Sequence, residues 1–317
     1  MSWLPCELHC HTVHSDGDFL PQALQQAAVD NELAMIALTD HNTFSGAAAM
    51  DSAVLPFVQG IEWTTYFGHL LVLGANTFVD WRDAVPDNID EKISAVRATG
   101  ALVGVAHPFQ LGSPMCTGGR WEFRVQQWEQ VNYIEIWHER FTADSYENRN
   151  ALQLWTSLLD RGYRLAASYG RDWHRPAKGG HFCCTYLDLH GAPSQAKALA
   201  AIAGGRTVVS TGARFFFTVT QNGQVYHIGD TVPTGEAVLD FYTDIYARSR
   251  FNGAKLVHQT VRVVTNGGET VTEASVSDSR VAVTLAPDHW YRAELYGTFN
   301  GEPALLAVTS PVYTEKA

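Results

Sequence analysis

The sequence has no long apolar run, no excess of basic residues and no paired cysteine motif, and each absence removes a class of protein. No uninterrupted apolar stretch approaches the roughly 20 residues that a membrane-spanning helix needs, so we expect no such helix. Lysine and arginine number 22 against 33 acidic residues, and the net charge is -11. This balance disfavours broad electrostatic attraction to nucleic acid or to an anionic membrane.

Cysteine is scarce and does not suggest a structural framework. The five cysteines are Cys6, Cys10, Cys116, Cys183 and Cys184. Their number is odd and no CxxC pair occurs, which argues against both a zinc ribbon and a disulfide scaffold. The first residues lack the basic stretch and the apolar core that a signal peptide contains, so we expect no signal peptide. Reduced thiols fit a cytoplasmic protein best.

The composition that remains is that of a globular protein, with 317 residues, 46% hydrophobic and 17% charged. Up to about residue 212, short apolar runs that end in polar residues alternate with helical patterns. A first strand ends at 9–11, and further strands are predicted at 34–39, 57–61, 69–73, 101–106, 133–137, 164–168 and 207–211. Helices are predicted at 21–32, 89–99, 148–159 and 196–203. Alternation over about seven units predicts an α/β fold with a parallel sheet closed as a barrel of the (β/α) type.

The pattern changes at about residue 213, where helical periodicity disappears. Strands are predicted at 215–220, 225–228, 256–265, 281–285 and 290–296. The dipeptides Asn222-Gly223 and Asn266-Gly267 are strong signals for hairpin turns. We therefore predict two domains, a barrel over 1–212 and an antiparallel all-β, sandwich-like domain over 213–317.

Histidines and acids follow the apolar runs of the first part. His9 and His11 are two residues apart, so in an extended strand they share a face and can bind one divalent ion. Strand ends of a parallel barrel meet at one mouth, where we expect these side chains to converge. The full set of candidate metal ligands is His9, His11, Asp16, His41, Glu62, His69, His107, Asp172 and His174. Imidazoles and carboxylates in this mixture suit two or three ions of Zn, Mn or Fe.

The same residues resemble the motifs of the PHP (polymerase and histidinol phosphatase) superfamily of metal-dependent phosphoesterases. Five motifs of that superfamily occur here in order, as His9–Thr12 with Ser15–Gly17, Thr39–His41, Gly60–Glu62 with Gly68-His69, Ala106–Pro108 and Asp172–His174. The resemblance covers roughly the first two thirds of the chain and implies a distorted (β/α)7 barrel. The β-rich tail, with 290–294 and 309–313, looks like the branch that includes carbaryl hydrolase.

The resemblance also implies how the ligands divide among three ions. The first ion would be held by His9, His11, Glu62 and Asp172, the second by Glu62, His69 and His107, and the third by Asp16, His41 and His174. Glu62 would bridge two ions. A hydroxide held between the first two ions would attack the substrate, which makes Glu62 and Asp172 catalytic candidates.

Four further residues are candidates near the site. Asp40 precedes a ligand and either orients an imidazole or caps a turn. His138 follows a strand, and either its imidazole or a metal-bound water is the candidate general acid. Arg140 and Arg171 lie after strand ends, where an arginine could bind an anionic substrate or form a surface ion pair.

These features predict a metal-dependent hydrolase. A phosphoesterase acting on phosphomonoesters or phosphodiesters is the first interpretation. Hydrolysis of a carboxyl or carbamate ester at the same site is the second, and a non-catalytic metal-binding module is the third. The expected partner is a small anionic, phosphorylated substrate or a small ester, with no stable nucleic-acid complex and no membrane.

Overall fold

The structure is a computed structural model that describes residues 2–111, 120–139, 145–176, 183–248 and 256–316. Strands account for 43% of the chain and helices for 19%, and the described residues contain four α-helices. The helices are α1 (Pro21–Asp30), α2 (Ile89–Arg97), α3 (Tyr146–Asp160) and α4 (Gln195–Ala203). The first nine strands are β1 (Trp3–Cys10), β2 (Met35–Leu38), β3 (Phe57–Thr65), β4 (Gly68–Leu73), β5 (Leu102–Val105), β6 (Tyr133–His138), β7 (Ala166–Gly170), β8 (Cys184–Asp188) and β9 (Thr207–Ser210).

The later described strands carry the chain to its end. They are β10 (Arg214–Gln221), β11 (Gln224–His227), β12 (Thr231–Val232), β13 (Gly235–Asp244), β14 (Leu256–Thr265), β15 (Glu269–Ser275), β16 (Arg280–Leu285), β17 (Trp290–Phe299), β18 (Glu302–Thr309) and β19 (Val312–Thr314). Asn222 and Gly223, both with positive φ, form the two-residue turn that joins β10 to β11.

The predicted (β/α)7 barrel is wrong, because this part of the chain is a large mixed sheet with few helices. Strands β1, β2 and β3 are parallel, and so are β5, β6 and β7, but β4 runs antiparallel to both of its neighbours. Only Tyr66 and Phe67 separate β3 from β4, and a connection of that length can join antiparallel strands alone. A buried strand appears as an apolar run whether it is parallel or antiparallel to its neighbours, so the sequence pattern did not reveal that β4 is reversed.

The C-terminal β region, predicted as a small antiparallel sandwich packed against the barrel, also shares a sheet with the first part of the chain. Strands β17 and β18 continue the large sheet, because β18 pairs with β9 and β9 pairs with β8. A second, four-stranded antiparallel sheet has the order β11-β10-β13-β16. Its buried side chains, such as Phe215 and Phe217, share one apolar core with Val261 and Leu295 of the large sheet. The division at residues 212 and 213 stays a prediction.

The four helices agree closely with the sequence pattern. Helices α3 and α4 begin after Ser145 and Ser194, whose side chains accept a hydrogen bond from a backbone N–H of the first turn. Helix α1 begins with Pro21, where a missing N–H costs nothing. No helix among the described ranges is both long and apolar enough to cross a bilayer.

The first and seventh strands meet at their carboxyl ends. The Trp173 backbone N–H donates to the His9 carbonyl, and the His11 N–H donates to the Trp173 carbonyl, each at 3.0 Å. Just below, one carboxylate oxygen of Glu7 accepts the backbone N–H groups of His9 and Arg171, each at 3.0 Å. These bonds hold the HxH segment of β1 against the Asp172 segment that follows β7.

The four described cysteines are expected to resist alkylation in the folded protein. All are buried, and burial raises the pKa of Cys184 to about 11, with Arg248 opposing and Glu7 adding to the shift. Burial also raises the pKa values of Cys6, Cys10 and Cys183 well above the usual range. Because the thiolate is the nucleophile, iodoacetamide at about pH 8 should modify them only in urea. Peptide mass spectrometry that finds any of the four labelled in native protein would contradict this; Cys116 lies outside the described residues.

Candidate metal centre

The candidate ligands come together at one edge of the large sheet. His9, Glu62 and His138 lie in β1, β3 and β6, while His41, His107 and Asp172 lie two or three residues after the ends of β2, β5 and β7. His69 stands near the start of β4, yet the reversal of β4 brings that start to the same edge. Thr64 pairs with His69 in the β3–β4 register, so Glu62 and His69 are neighbours in space.

The first donor group consists of His9, His11, Glu62 and Asp172, whose ligand atoms lie within 4.8 Å of one another. Nε2 of each histidine lies 3.0–3.3 Å from Glu62 Oε2 and from Asp172 Oδ1. These four atoms are buried, and none of them has a hydrogen-bond partner in the described part of the chain. Buried polar atoms left in this way are costly unless something else binds them.

A divalent ion fits the first donor group. In a tetrahedral site with bonds of about 2.0–2.1 Å, neighbouring ligand atoms are about 3.3–3.4 Å apart. The four N···O separations of 3.0–3.3 Å come close to that spacing. Two imidazole nitrogens and two carboxylate oxygens suit Zn, Mn or Fe. The donor set therefore supports divalent metal binding, while the identity and number of the ions stay predictions.

Two further donor groups surround the other oxygen of Glu62 and the far side of Asp172. His69 Nδ1 lies 2.6 Å and His107 Nε2 3.0 Å from Glu62 Oε1. His138 Nε2 lies 3.3 Å from Asp172 Oδ2, and its ring centroid is 4.7 Å from that of His107. Thus His138, predicted from sequence as a general acid, stands in a possible metal-binding group with His107 and Asp172.

The last donor group is more open to solvent. It consists of His11, Asp16, His41 and His174. Asp16 Oδ1 lies 3.0 Å from His174 Nε2 and 3.4 Å from His41 Nε2, and the Asp16 side chain is 60% exposed. An ion held here would face solvent more than one held by His9 and Glu62, which are fully buried.

Backbone and hydroxyl contacts orient the rings of this open group. His174 Nδ1 lies 2.8 Å from the Asp172 carbonyl, and His41 Nδ1 lies 2.6 Å from Thr64 Oγ1. A proton on each Nδ1 would donate to these oxygens and leave Nε2 directed at Asp16. Thr64 could be found from the sequence only through its position two residues after Glu62 on the same strand face.

Asp40 holds the loop that carries Asp16. Its carboxylate accepts the Thr12 backbone N–H, the Thr12 hydroxyl and the Ser15 hydroxyl, each at 2.7 Å. It is fully buried, and the described structure gives it no contact with an imidazole. Of the two roles considered for Asp40, turn capping is the one that the contacts support.

Charge within the cluster offsets the cost of burying it. Burial raises the pKa of Glu62 and of Asp172, but the charge of His9 and hydrogen bonds from facing imidazoles outweigh that effect and hold both pKa values well below the usual range. Burial lowers the pKa of His11, yet the facing carboxylates of Asp172 and Glu62, 3.0 and 3.3 Å from its Nε2, raise it to about 9. Burial dominates at His69 and lowers its pKa. A metal ion must therefore compete with protons for these ligands.

Of the two predicted substrate arginines, the structure describes Arg171, and it stacks away from the candidate ligands. Arg171 is 7% exposed, and its guanidinium carbon lies 3.7 Å from the ring centroid of Trp173, so it stacks as a cation on an aromatic face. No hydrogen bond or ion pair among the described residues joins its side chain to a candidate ligand, and its role in substrate binding stays a prediction. Arg140 lies outside the described residues.

Two buried acidic residues that were not predicted from the sequence lie next to the candidate ligands. Glu135 in β6 contacts His9, and Glu7 in β1 accepts the backbone N–H of His9. Burial raises the pKa of Glu7 to about 8, although the Arg171 and His9 hydrogen bonds oppose this. The available signal was a single carboxylate inside an otherwise apolar strand, which is rare unless it is paired.

Comparison with known proteins supports the fold. No protein-family model matches the chain, and no curated protein sequence matches it. The structure resembles a two-domain protein from Bacteroides vulgatus that contains a predicted PHP-like metal-dependent phosphoesterase. The TM-score is 0.53 at 16% identity, over 98% of this chain and 95% of the other.

Two other solved structures match over a shorter part. One is a candidate metal-dependent phosphoesterase from Bifidobacterium adolescentis, and the other an amidohydrolase from Chromobacterium violaceum with bound sulfate and no metal. Each is 18% identical, covers 55% of this chain and has a TM-score of 0.38; the shares of their own chains are 89% and 88%. The PHP resemblance is thus confirmed at the level of the fold, through the full-length match, and the carbaryl-hydrolase-like branch is not confirmed.

Proposed function

We propose that the chain is a metal-dependent hydrolase that cleaves phosphoester bonds. The observation that carries this proposal is a set of four buried ligand atoms, one each from His9, His11, Glu62 and Asp172. They lie close together and accept or donate no hydrogen bond within the part of the chain that the structure describes. Nothing in an ordinary protein core requires two imidazoles and two carboxylates to face one point. A divalent ion does.

The adjacency of the donor groups favours phosphoester hydrolysis. Glu62 belongs to two groups, Asp172 to two and His11 to two, so ions held by them would be close neighbours. When bound, neighbouring ions activate water and stabilise the charge on the attacking and leaving oxygens of an in-line displacement at phosphorus. The PHP-like phosphoesterase of the Bacteroides protein, which has the same fold, supports the same class of reaction.

The buried and the solvent-exposed donor groups would have different roles in catalysis. The buried group around His9 and Glu62 keeps its ligands fixed and excludes bulk water. The open group around Asp16 and His174 lies where a substrate can enter, with Asp16 60% and His174 24% exposed in their side chains. We propose that the phosphoryl group is bound at this open side.

A hydrolysis screen tests the proposal. We expect the protein loaded with Mn or Zn to hydrolyse phosphomonoesters, phosphodiesters or short oligonucleotides, and to lose that activity with a chelator. The His11→Asn variant, which lacks a ligand shared by two donor groups, serves as the control for contaminating activity. Turnover of carboxyl or carbamate esters with no turnover of any phosphoester would overturn the proposal in favour of ester hydrolysis.

A further inference from the structure

Glu135 connects two candidate ligands that belong to different donor groups. It is 1% exposed, in the middle of β6. Its Oε1 lies 3.0 Å from His9 Nδ1, and its Oε2 accepts the backbone N–H of His107 at 2.9 Å. The two carboxylate oxygens of Glu135 thus contact His9 Nδ1 and the His107 backbone, and neither contacts one of the four buried ligand atoms of the first donor group. Glu135 belongs to none of the possible ligand groups among the described residues.

A glycine on the neighbouring strand leaves room for the Glu135 side chain to reach His9. Strand β7 lies between β6 and the end of β1, and Gly170 ends β7 opposite His138. A Cβ atom at Gly170 would lie only 1.8 Å from Glu135 Oε1. The missing side chain at Gly170 thus leaves the space through which the carboxylate passes over β7 to reach His9.

The two contacts of Glu135 affect the protonation of the His9 ring and the backbone conformation of His107. A proton on His9 Nδ1 that donates to Glu135 leaves the lone pair on Nε2, the atom facing Glu62 and Asp172. The contact with His107 acts on the backbone, where φ is +24°, a value that side-chain-bearing residues seldom adopt. A hydrogen bond at that point stabilises the turn that directs His107 at Glu62.

We infer that Glu135 is a positioning residue that sets the tautomer of His9 and the backbone of His107, and so fixes two neighbouring donor groups relative to each other. This inference rests on the proposed metal centre. It assigns Glu135 no contact with substrate.

The substitution Glu135→Gln separates this role from packing, because glutamine has nearly the same shape. The carboxylate offers two acceptors to two N–H donors, whereas the amide offers one acceptor and one donor. If the amide NH2 faces His9, the ring must carry its proton on Nε2, where an ion would bind. If it faces His107, two N–H groups oppose each other and the turn is disturbed.

The test measures metal binding. Wild type, Glu135→Gln and Gly170→Ala are stripped with a chelator and titrated with Co²⁺, following both the visible spectrum and the heat of binding. We expect the affinity of Glu135→Gln to fall by about 10- to 100-fold with an altered spectrum. Gly170→Ala, which displaces the same carboxylate without changing its charge, should shift affinity in the same direction.

The matched control is Glu294→Gln, which alters a buried carboxylate of β17. Glu294 accepts hydrogen bonds from Arg292 and Tyr296 and has no described contact with the candidate ligands. We expect this variant to lose stability while its Co²⁺ affinity and spectrum stay those of wild type. If Glu135→Gln loses no more affinity than Glu294→Gln at matched fractions of folded protein, the positioning role is overturned.

Failure of this inference can be told apart from failure of the proposed function. Wild type that binds Co²⁺ but hydrolyses no phosphoester overturns the function alone, since the Glu135 test does not use turnover. Wild type that binds no Co²⁺ overturns both. If Glu135→Gln fails to fold, Gly170→Ala decides, and unchanged affinity in that variant counts against the inference.

Discussion

A Glu62→Gln variant is expected to lose about 1,000-fold or more in kcat/KM on any phosphoester that the wild type hydrolyses, equivalent to about 4 kcal/mol. The reason is the central position of this carboxylate, which is fully buried. Its two oxygens face the imidazoles of His9, His11, His41, His69 and His107 at 2.6–3.3 Å. An amide retains one acceptor oxygen and cannot bridge two ions.

The matched comparison is Asp16→Asn, which changes a carboxylate at the exposed margin of the same site. Among the described residues, Asp16 belongs to the open donor group alone, so we expect a loss of about tenfold, equivalent to about 1.4 kcal/mol. Both variants should be assayed at saturating metal, with bound ions counted by elemental analysis. Near-normal turnover of Glu62→Gln, or a loss no greater than that of Asp16→Asn, would rule out a bridging role.

The sequence allowed the site to be predicted better than the fold. Glu62 and His107 stand in short motifs directly beside apolar strands, and strand ends converge whatever the order of the strands. The direction of each strand was not readable, because the turn at Tyr66 and Phe67 lacks the Asn-Gly signal that marks Asn222 and Gly223. This reversal, together with the antiparallel pairing of β8 with β1 and with β9, separates the mixed sheet from the predicted parallel barrel.

The positioning residues were hidden for a different reason. Glu135 and His9 are 126 positions apart in the chain, and their contact depends on β7 lying between them with a glycine at its end. No local pattern encodes a contact across an intervening strand. A lone carboxylate within the apolar run at 133–137 is the signal that the sequence offers, and it indicates burial without naming the partner.

Metal binding is expected to stabilise the fold strongly. At a free ion concentration 1,000 times Kd, one occupied site adds about 4 kcal/mol to the free energy of unfolding, provided that the unfolded chain does not bind the ion. The physical source is that an ion would bind the four buried atoms of His9, His11, Glu62 and Asp172, which lack hydrogen-bond partners among the described residues. Urea unfolding followed by circular dichroism, with excess Mn or with excess EDTA, measures this difference.

With rising pH, the metal-free stability should fall while the stability gained from Mn should grow. Without metal, the pKa of His11 is raised from 6.5 to about 9, so this group contributes stability that is complete below about pH 6.5 and is lost as the pH rises through about 9. With metal, His11 must lose its proton to bind, so the gain from Mn should grow over the same interval.

A His9→Asn, His11→Asn double variant is the control for both conditions. It removes the two imidazoles of the first donor group, so we expect Mn to add much less stability to it than to wild type. The fall in metal-free stability between about pH 6.5 and 9 should shrink as well, because the variant lacks two histidines whose pKa values are raised in the folded protein. Equal free energies of unfolding for wild type in Mn and in EDTA across this pH range would show that the buried cluster binds no ion, and would remove the basis of the hydrolase proposal.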